Sequence, residues 1–314
     1  MLKTRRFAQG RDEEDWVKVW NAAYKEYDDI RQITVDEFKI YEKAPEFDSE
    51  GRFIVELDER PVGIIHAYVD KLRKEKKGFI RSFGIVPEFR GKGLEEKLVE
   101  TALKELKTRD MKIIQAWARY VRKDRIRLWE TLGFKLVRKF SLMKRDLAEI
   151  PSSISENQEV KLKSLRRDSD EDVKMLNWLD NECFTEHFNF RRGTVEETTY
   201  FLRKDPFFRD QDWFFAVLKK EYVGYVGVGI DEKYNVERNV KCGWILDIGV
   251  LKPYRRRGIG TRLMLQGMDI LKDKGMTTTM LGVDDSNVTK AMELYEKVGF
   301  HVEKKDLTYE RSVE

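Results

Sequence analysis

The sequence is short of the residues on which many enzymes base their chemistry. It has only two cysteines, Cys183 and Cys242, and three histidines, His66, His187 and His301. This scarcity excludes a disulfide scaffold and a zinc site built from cysteine and histidine, and it leaves few ways to assemble a Ser-His-Asp triad. We therefore expect no metal site, and we expect the chemistry to rely on backbone groups, carboxylates, tyrosine or a bound cofactor.

Long apolar runs and a strong charge imbalance are also missing. No stretch approaches the roughly 18 apolar residues of a membrane span, and the opening MLKTRRFAQGRDEED lacks the apolar core of a secretory signal. Lysine plus arginine number 61 against 57 aspartate plus glutamate, so the net charge of +4 gives no general reason to expect nucleic acid. We expect a cytoplasmic protein, monomer or homodimer, that binds neither membranes nor nucleic acid.

The 314 residues suit two globular domains, and the chain contains the same sequence unit twice. Residues 83–98 (FGIVPEFRGKGLEEKL) align with residues 248–263 (IGVLKPYRRRGIGTRL). Further on, residues 128–134 (LWETLGF) align with residues 294–300 (LYEKVGF). Two ordered blocks at nearly equal spacing indicate a tandem repeat.

A change of composition marks the boundary between the repeats. Residues 148–160 (AEIPSSISENQEV) lose apolar periodicity and collect serine, proline, asparagine and glutamine, which is typical of an exposed connection. We predict a first domain over residues 1–150, a linker over 151–159 and a second domain over 160–314.

Strand and helix patterns alternate within each repeat, which predicts an α/β fold. In the second repeat, strands are predicted over residues 212–230 (two strands), 244–250 and 277–284. The helix after the central strand is expected to stop at Gly275, and another helix is predicted over residues 287–299 with Asn287 as its N-cap.

The turn after the central strand carries the clearest chemical signal. In PYRRRGIGTRL a strand ends and a helix begins within a few residues, which leaves the first amides of the helix unpaired. Gly258 and Gly260 remove side chains that would block close approach, while Arg255, Arg256 and Arg257 place positive charge around the turn. A diphosphate fits this pattern; the alternative is an ordinary loop with solvated arginines.

These residues resemble the GNAT superfamily of acyl-CoA-dependent N-acetyltransferases. Its signature is Arg or Gln, two variable residues, Gly, one variable residue, then Gly or Ala, and RRRGIG matches it in full. The family also has an Asn opening the later helix, a Tyr eight residues on and a Gly-Phe after it, here Asn287, Tyr295, Gly299 and Phe300. The resemblance implies two tandem GNAT domains, each with a mixed, mostly antiparallel central sheet flanked by helices.

The resemblance also implies roles for individual residues. Amides from Arg256 to Thr261 would hold the pyrophosphate of coenzyme A, and Tyr295 would protonate the departing thiolate. The strand Ile248–Val250 would pair with the pantetheine amide and polarise the acetyl carbonyl. The residues implied to contact acetyl-CoA are Ile248, Gly249, Val250, Arg255, Arg256, Arg257, Gly258, Ile259, Gly260, Thr261 and Asn287. Helical spacing also allows Tyr295 to be a core residue.

The base and the acceptor site are predicted from weaker signals. Asp247, at the end of the central strand, is the candidate base, although a strand-end aspartate can equally form a salt bridge or a cap. Residues 183–208 resemble the acceptor segment of mycothiol-synthase-like members, so Glu182, Glu186 and His187 are candidate ligands of a polar amine. The alternative for His187 is a hydrogen-bonded structural role.

The first repeat lacks these features. Glu95 stands where the second repeat has Gly260, and at about 4 Å and an effective dielectric near 20 its charge would repel a phosphate by roughly 4 kcal/mol. Trp129, Val121 and Arg125 replace Tyr295, Asn287 and Ala291. We interpret this repeat as a degenerate copy; alternatively Glu95 swings aside and some CoA binds.

These features predict an acetyl-CoA-dependent N-acetyltransferase that moves an acetyl group to the primary amine of a small molecule by direct attack. Neither cysteine has a partner in the sequence that would make it a nucleophile, so no covalent enzyme intermediate is expected. Two alternatives stay open: an acetyltransferase of protein N-termini or lysines, with a peptide as acceptor, and a non-catalytic acyl-CoA sensor or scaffold.

Overall fold

Two parts of the chain each build a mixed β-sheet with helices packed against it. The computed structural model describes residues 1–151 and 157–313, so most of the predicted linker 151–159 lies outside the described residues. Two compact units result. Unit 1 contains Met1–Lys139 and Asp306–Glu314, and unit 2 contains Phe140–Lys305.

Unit 1 follows the element order predicted for a repeat. Its elements are β1 (Leu2–Arg6), α1 (Glu13–Tyr24), α2 (Val35–Tyr41), β2 (Arg52–Leu57), β3 (Arg60–Val69), β4 (Lys77–Ile85), α3 (Leu94–Thr108), β5 (Ile113–Arg119) and α4 (Lys123–Thr131). The strands lie in the order β1-β2-β3-β4-β5, and residues 306–312 add a sixth strand beside β5. Among the described strands of this unit, only β4 and β5 run parallel.

Unit 2 repeats this order. It contains part of β6 (Lys135–Asp146), then β7 (Lys161–Ser164), α5 (Asp170–Cys183), α6 (Val195–Lys204), β8 (Asp210–Leu218), β9 (Glu221–Ile230), α7 (Glu232–Arg238), β10 (Cys242–Val250), α8 (Ile259–Asp273), β11 (Thr278–Asp284), α9 (Ala291–Lys297) and part of β12 (His301–Ser312). The strand order is β6-β11-β10-β9-β8-β7, and β10 and β11 are the only parallel pair in the described part of this unit. The predicted mixed, mostly antiparallel sheets are confirmed.

The compact units do not divide at the predicted linker. Residues 140–146 pair with β11 and therefore belong to unit 2, whereas residues 306–312 pair with β5 and belong to unit 1. Composition could not reveal this arrangement, because it depends on strand pairing between segments far apart in sequence.

The central strands of unit 2 separate where the site is expected. β10 and β11 pair only over Cys242–Trp244 and Thr278–Met280, although β10 continues to Val250 and β11 to Asp284. A cleft therefore opens between the carboxyl ends of these parallel strands, and α8 begins at the same end.

Helix α8 fixes one side of this cleft because its apolar face is fully buried. Leu263, Met264, Met268 and Leu271 have no exposed surface, and burying each such side chain contributes about 1.5–3 kcal/mol. The helix ends at Asp273 ahead of Gly275, whose φ of +81° is the left-handed conformation expected beyond a helix end. The predicted stop is confirmed.

One predicted cap is wrong. The last helix, α9, begins at Ala291 rather than near residue 287, and its N-cap is Lys290 in the left-handed conformation. Asn287 lies in the preceding turn, where its Oδ1 accepts hydrogen bonds from the amide and the hydroxyl of Thr289, each at 2.8 Å. Its side chain is thus used locally, as short polar side chains often are in turns.

Among the described helices, we find none with the length and apolar character that crossing a membrane requires.

Candidate active site

The turn between β10 and α8 presents a row of free amides. Within residues 1–151 and 157–313, no hydrogen bond engages the backbone N–H groups from Arg256 to Thr261, and the first helical bond runs from Arg262 N to Gly258 O. Positive φ values at Arg256 (+62°) and Gly258 (+77°) curve this backbone. Successive amides in such a curve, at the positive end of a helix dipole, form a site for a phosphate group.

Arg255 holds the turn rather than lining it. Its Nε donates to the Val250 carbonyl at 3.0 Å, its Nη2 donates to the Cys183 carbonyl at 2.8 Å, and its Nη1 lies 3.0 Å from a carboxylate oxygen of Glu186. Glu186 also pairs with Lys252 at 2.8 Å. Arg255, predicted as a cofactor ligand, and Glu186, predicted as an amine ligand, therefore neutralise each other, while Arg256 is largely exposed.

Unit 1 has the same turn with a different outcome. Arg90 makes the corresponding bonds, to the Ile85 carbonyl at 3.1 Å and the Ala23 carbonyl at 2.8 Å. Here, however, a carboxylate oxygen of Glu95 accepts the Gly91 amide at 3.2 Å. The side chain that replaces Gly260 thus places its own negative charge in the position of an incoming anion.

A hydrogen-bonded cluster lies at the carboxyl end of β10. The Tyr225 hydroxyl is 2.8 Å from Oδ1 of Asp180 on α5 and 2.8 Å from Oδ2 of Asp247 on β10. A β-bulge between Ile245 and Asp247 sets the direction of the Asp247 side chain, whose Oδ1 accepts the Ile248 amide at 2.8 Å. We call Asp180, Tyr225 and Asp247 the carboxylate–tyrosine trio.

The trio changes the proton affinity of its members. Burial, followed by the charge of Asp180, raises the pKa of Asp247 to about 8, whereas the bonds from Tyr225 and Ile248 act in the opposite direction. Burial and the two carboxylates also raise the pKa of Tyr225, so its hydroxyl keeps its proton. Asp247 can therefore gain or lose a proton near neutral pH. The Ile248 amide, in the strand Ile248–Val250 that the resemblance implies at the pantetheine and the acetyl carbonyl, is occupied by Asp247.

Tyr295 is buried on α9 and packs against Phe300, with ring centroids 6.2 Å apart. Its hydroxyl makes no hydrogen bond within the described residues. Burial, and then the charge of Asp247, raise the pKa of Tyr295, so the group stays protonated at neutral pH. The side chain combines the core packing and the available proton that the sequence left as alternatives.

Cys183 lies beside the trio but is chemically inert. It is 3% exposed, and burial, followed by the charge of Asp247, raises the pKa of its thiol to about 12. A neutral buried thiol is a poor nucleophile. Gly249 allows the close packing here, because a Cβ at this position would lie 2.7 Å from the Tyr225 ring and 3.0 Å from the Cys183 sulfur.

The other predicted amine ligands have partners of their own. Glu182 pairs with Arg192 at 2.9 Å. The His187 ring packs against Phe184 at a tilt of 56°, with ring centroids 4.2 Å apart. Burial and the nearby Arg255 lower the pKa of its imidazole, so it is neutral at pH 7. Of the three candidates, His187 alone has no ion pair within the described residues.

Sequence reasoning missed Asp180 and Tyr225. Asp180 follows the buried Leu179 within α5, so it looks like an ordinary polar position of an amphipathic helix. Tyr225 occurs in YVGYVGVGI, where the neighbouring glycines make room for other groups: a Cβ at Gly224 would meet the Gly249 carbonyl and one at Gly227 would meet the Trp213 ring. Both residues reach Asp247 only through the packing of α5 and β9 against β10.

The comparison with protein families identifies the class. Residues 14–134 and 173–300 each match the model of the acetyltransferase (GNAT) family. Because the two matches cover more than half of the chain, the protein belongs to the acetyltransferase (GNAT) family, with the domain present twice.

Several relatives are mycothiol acetyltransferases. The chain is 26% identical to the one from Acidothermus cellulolyticus over 236 residues, which cover 72% of this chain and 69% of that protein. It is 28% identical to the one from Thermomonospora curvata over 130 residues, or 41% of this chain and 43% of that protein. For the latter and for the Thermobispora bispora relative, at 46%, the match spans less than half of the relative.

Solved structures share the fold along the whole chain. A tandem GNAT protein from the clavulanic acid biosynthesis pathway has a TM-score of 0.76 at 13% identity, with 99% of this chain and 98% of that chain covered. A GCN5-related N-acetyltransferase from Sphaerobacter thermophilus has a TM-score of 0.71 at 20% identity, covering 99% and 95%. The predicted tandem GNAT fold is confirmed.

Proposed function

We propose that unit 2 is an acetyl-CoA-dependent N-acetyltransferase that acts on the primary amine of a small molecule by direct attack. The observation that carries this proposal is the row of six free amides, from Arg256 to Thr261, at the end of the cleft that contains Asp247. Family membership supports an acetyltransferase, and the geometry supports this unit rather than the other as the one that binds acetyl-CoA.

The residues present fit the nucleotide part of acetyl-CoA. Six amides at a helix start, curved by two left-handed residues, match the charge and size of a diphosphate. The edge of β10 beyond Trp244 has no β11 partner in the described register, so backbone groups of Gly249 and Val250 are suitable for the pantetheine arm. When bound, acetyl-CoA supplies the acetyl thioester.

The chain's own residues handle the protons of the reaction. The amine must be neutral to attack, and in our proposal Asp247 accepts a proton from its ammonium form. Tyr295 donates a proton to the sulfur as the carbon–sulfur bond breaks, and the second proton that the nitrogen loses on forming the amide restores the tyrosine hydroxyl through solvent. General acid and base groups of this kind contribute about 10²–10⁴-fold each. The protonated thiol of Cys183 supports direct attack without a covalent enzyme intermediate.

A panel of amines tests the proposal. The full chain is incubated with acetyl-CoA and each amine, and release of free CoA is followed with a thiol reagent. The panel contains small primary amines, aminothiols because of the mycothiol acetyltransferase relatives, and peptides with a free N-terminus or a lysine. We expect a small amine to stimulate CoA release and the Asp247→Asn variant to be slower. A response confined to peptides contradicts the small-molecule acceptor, and no response at all contradicts the enzyme.

A further inference from the structure

The hydroxyl of Tyr225 makes two short contacts but has only one hydrogen. Both oxygen–oxygen distances, to Asp180 and to Asp247, are 2.8 Å, the usual length of an O–H···O hydrogen bond. The tyrosine can donate to only one carboxylate. The other contact needs a hydrogen supplied by a carboxyl group, because an ionised carboxylate would face the oxygen lone pairs of the tyrosine.

Within the part of the chain that the structure describes, the two carboxylates have no cationic partner. Neither Asp180 nor Asp247 forms an ion pair with lysine or arginine in the described parts of the chain, and the nearby Arg255 is committed to Glu186 and to backbone carbonyls. The titratable groups that face the pair are Cys183 of α5, Tyr225 of β9, Tyr295 of α9 and His187 after α5. All of these are neutral at pH 7. A carboxyl group buried beside a second carboxylate, without a cation to compensate, is favoured in its protonated form.

The internal repeat supports a functional purpose for the trio. Arg90 and Arg255 bond equivalent carbonyls, and the strand registers align the two units. The counterparts of the trio in unit 1 are Trp20, Ile64 and Ser82. Unit 1 therefore packs the same elements without any carboxylate at these positions, so the fold itself does not require the trio.

We propose that Asp180 and Tyr225 are positioning residues that hold a shared proton on Asp247 and thereby set the pH above which Asp247 accepts a proton from the amine. The inference rests on the proposed function, since it concerns the same base. Below this pH the pair already holds the proton. Above it, the Asp247 carboxylate takes one proton from the ammonium nitrogen, which leaves a neutral amine and a neutral carboxyl group, and the proton later passes to water.

The trio can be tested without any substrate. In the full chain with ¹³C-labelled aspartate, carboxyl carbons are titrated by NMR, and Asp247 is assigned with Asp247→Asn. We expect Asp247 to titrate near pH 8. Asp180→Asn removes the like charge and should lower this midpoint by about two pH units, whereas Tyr225→Phe removes a donor to the ionised form and should raise it by about one. Shifts of opposite sign are not expected from general loosening of the fold.

The matched control is Asp170→Asn, on the same helix but exposed and paired with Arg203. It should leave the Asp247 titration unchanged. An ordinary midpoint below pH 5 for Asp247 in the unmodified protein, or an unchanged midpoint in Asp180→Asn, would overturn the shared proton. Near-ultraviolet circular dichroism of each variant shows that the fold is retained.

Activity then separates this inference from the proposed function. With an amine that responds in the panel, kcat/KM should rise with pH through the same midpoint and move down in Asp180→Asn and up in Tyr225→Phe. The pH profile of kcat/KM is then repeated with a second amine of different basicity. A midpoint that stays the same belongs to the enzyme, whereas a midpoint that moves with the amine belongs to the substrate. If the NMR midpoints move but Asp247→Asn transfers acetyl groups normally, the base role fails and the shared proton stands. If Asp247 is essential but Asp180→Asn moves neither midpoint, the positioning role fails.

Discussion

The glycine at position 260 offers the most direct test of the diphosphate site, because unit 1 shows what a carboxylate does at this place. Glu95, its counterpart, folds back to within hydrogen-bonding distance of the Gly91 amide, at 3.2 Å. Gly260→Glu should create the same cap over the amides of Arg256 to Thr261. The turn would then contain a negative charge before any ligand arrives.

The magnitude follows from Coulomb's law. A carboxylate about 4 Å from a phosphate, at an effective dielectric near 20, repels it by roughly 4 kcal/mol. That energy corresponds to about a thousandfold loss of affinity. The repulsion should weaken when salt is added, because the turn is open to solvent and its charges are screened.

Calorimetry with CoA measures the effect, and Gly260→Gln is the matched control. A Cβ at position 260 would lie 3.2 Å from the end of the Leu294 side chain, so either substitution needs a small adjustment of that side chain. Glutamine shares this steric effect without the charge, and it should lose far less affinity than glutamate. Neither variant should unfold earlier, since a glycine in the first turn of a helix is replaced by a better helix former. Normal CoA affinity in Gly260→Glu would refute the diphosphate site.

The remaining predictions concern the proton donor, the turn and the first unit. The Tyr295→Phe variant should bind CoA normally but have a kcat lower by about 10²–10⁴-fold. An unchanged rate constant of acetyl transfer in single-turnover assays would remove this residue from the mechanism. Arg255→Met should destabilise the protein by about 2 kcal/mol, because two carbonyls lose their donors, and should also weaken CoA binding. Arg90→Met should lower stability similarly in denaturant titrations yet leave CoA affinity unchanged; an equal loss of affinity would contradict the assignment to unit 2. Calorimetry should give one CoA per chain, since Glu95 caps the turn of unit 1, and a stoichiometry of two would show that this carboxylate moves aside.

The sequence predicted those parts of the site that depend on local backbone geometry. The glycines of the turn, the helix that follows it and the stop before Gly275 are short-range features, so spacing alone was sufficient. The contacts of the side chains depend on the fold instead. Arg255 and Glu186 have the charges that suggested ligands, but the fold brings them together at 3.0 Å.

Long-range packing explains what the sequence could not provide. The direction of Asp247 depends on a bulge between Ile245 and Asp247, which shifts the strand register by one residue and has no reliable local signature. The Asp180 partnership needs α5 to lie against β9 and β10, 67 positions away from Asp247 in the chain. Asn287 was expected to cap a helix, but the left-handed Lys290 starts that helix later.

The turns of the two units have the same backbone conformation but differ in whether a side chain covers their amides. Both have two left-handed residues, Gly91 and Gly93 in one and Arg256 and Gly258 in the other, and both are held by an arginine that bonds the end of the preceding strand. Because unit 1 keeps this backbone while its own carboxylate caps it, the curvature is a product of folding and does not require a bound phosphate. What differs is a small number of side chains: Glu95 against Gly260, Trp129 against Tyr295, and three apolar or small residues against the trio. In our proposal, the capacity to bind acetyl-CoA and to react therefore depends on which side chains leave the amides open and bring carboxylates to the end of the central strand. The backbone itself is common to both units.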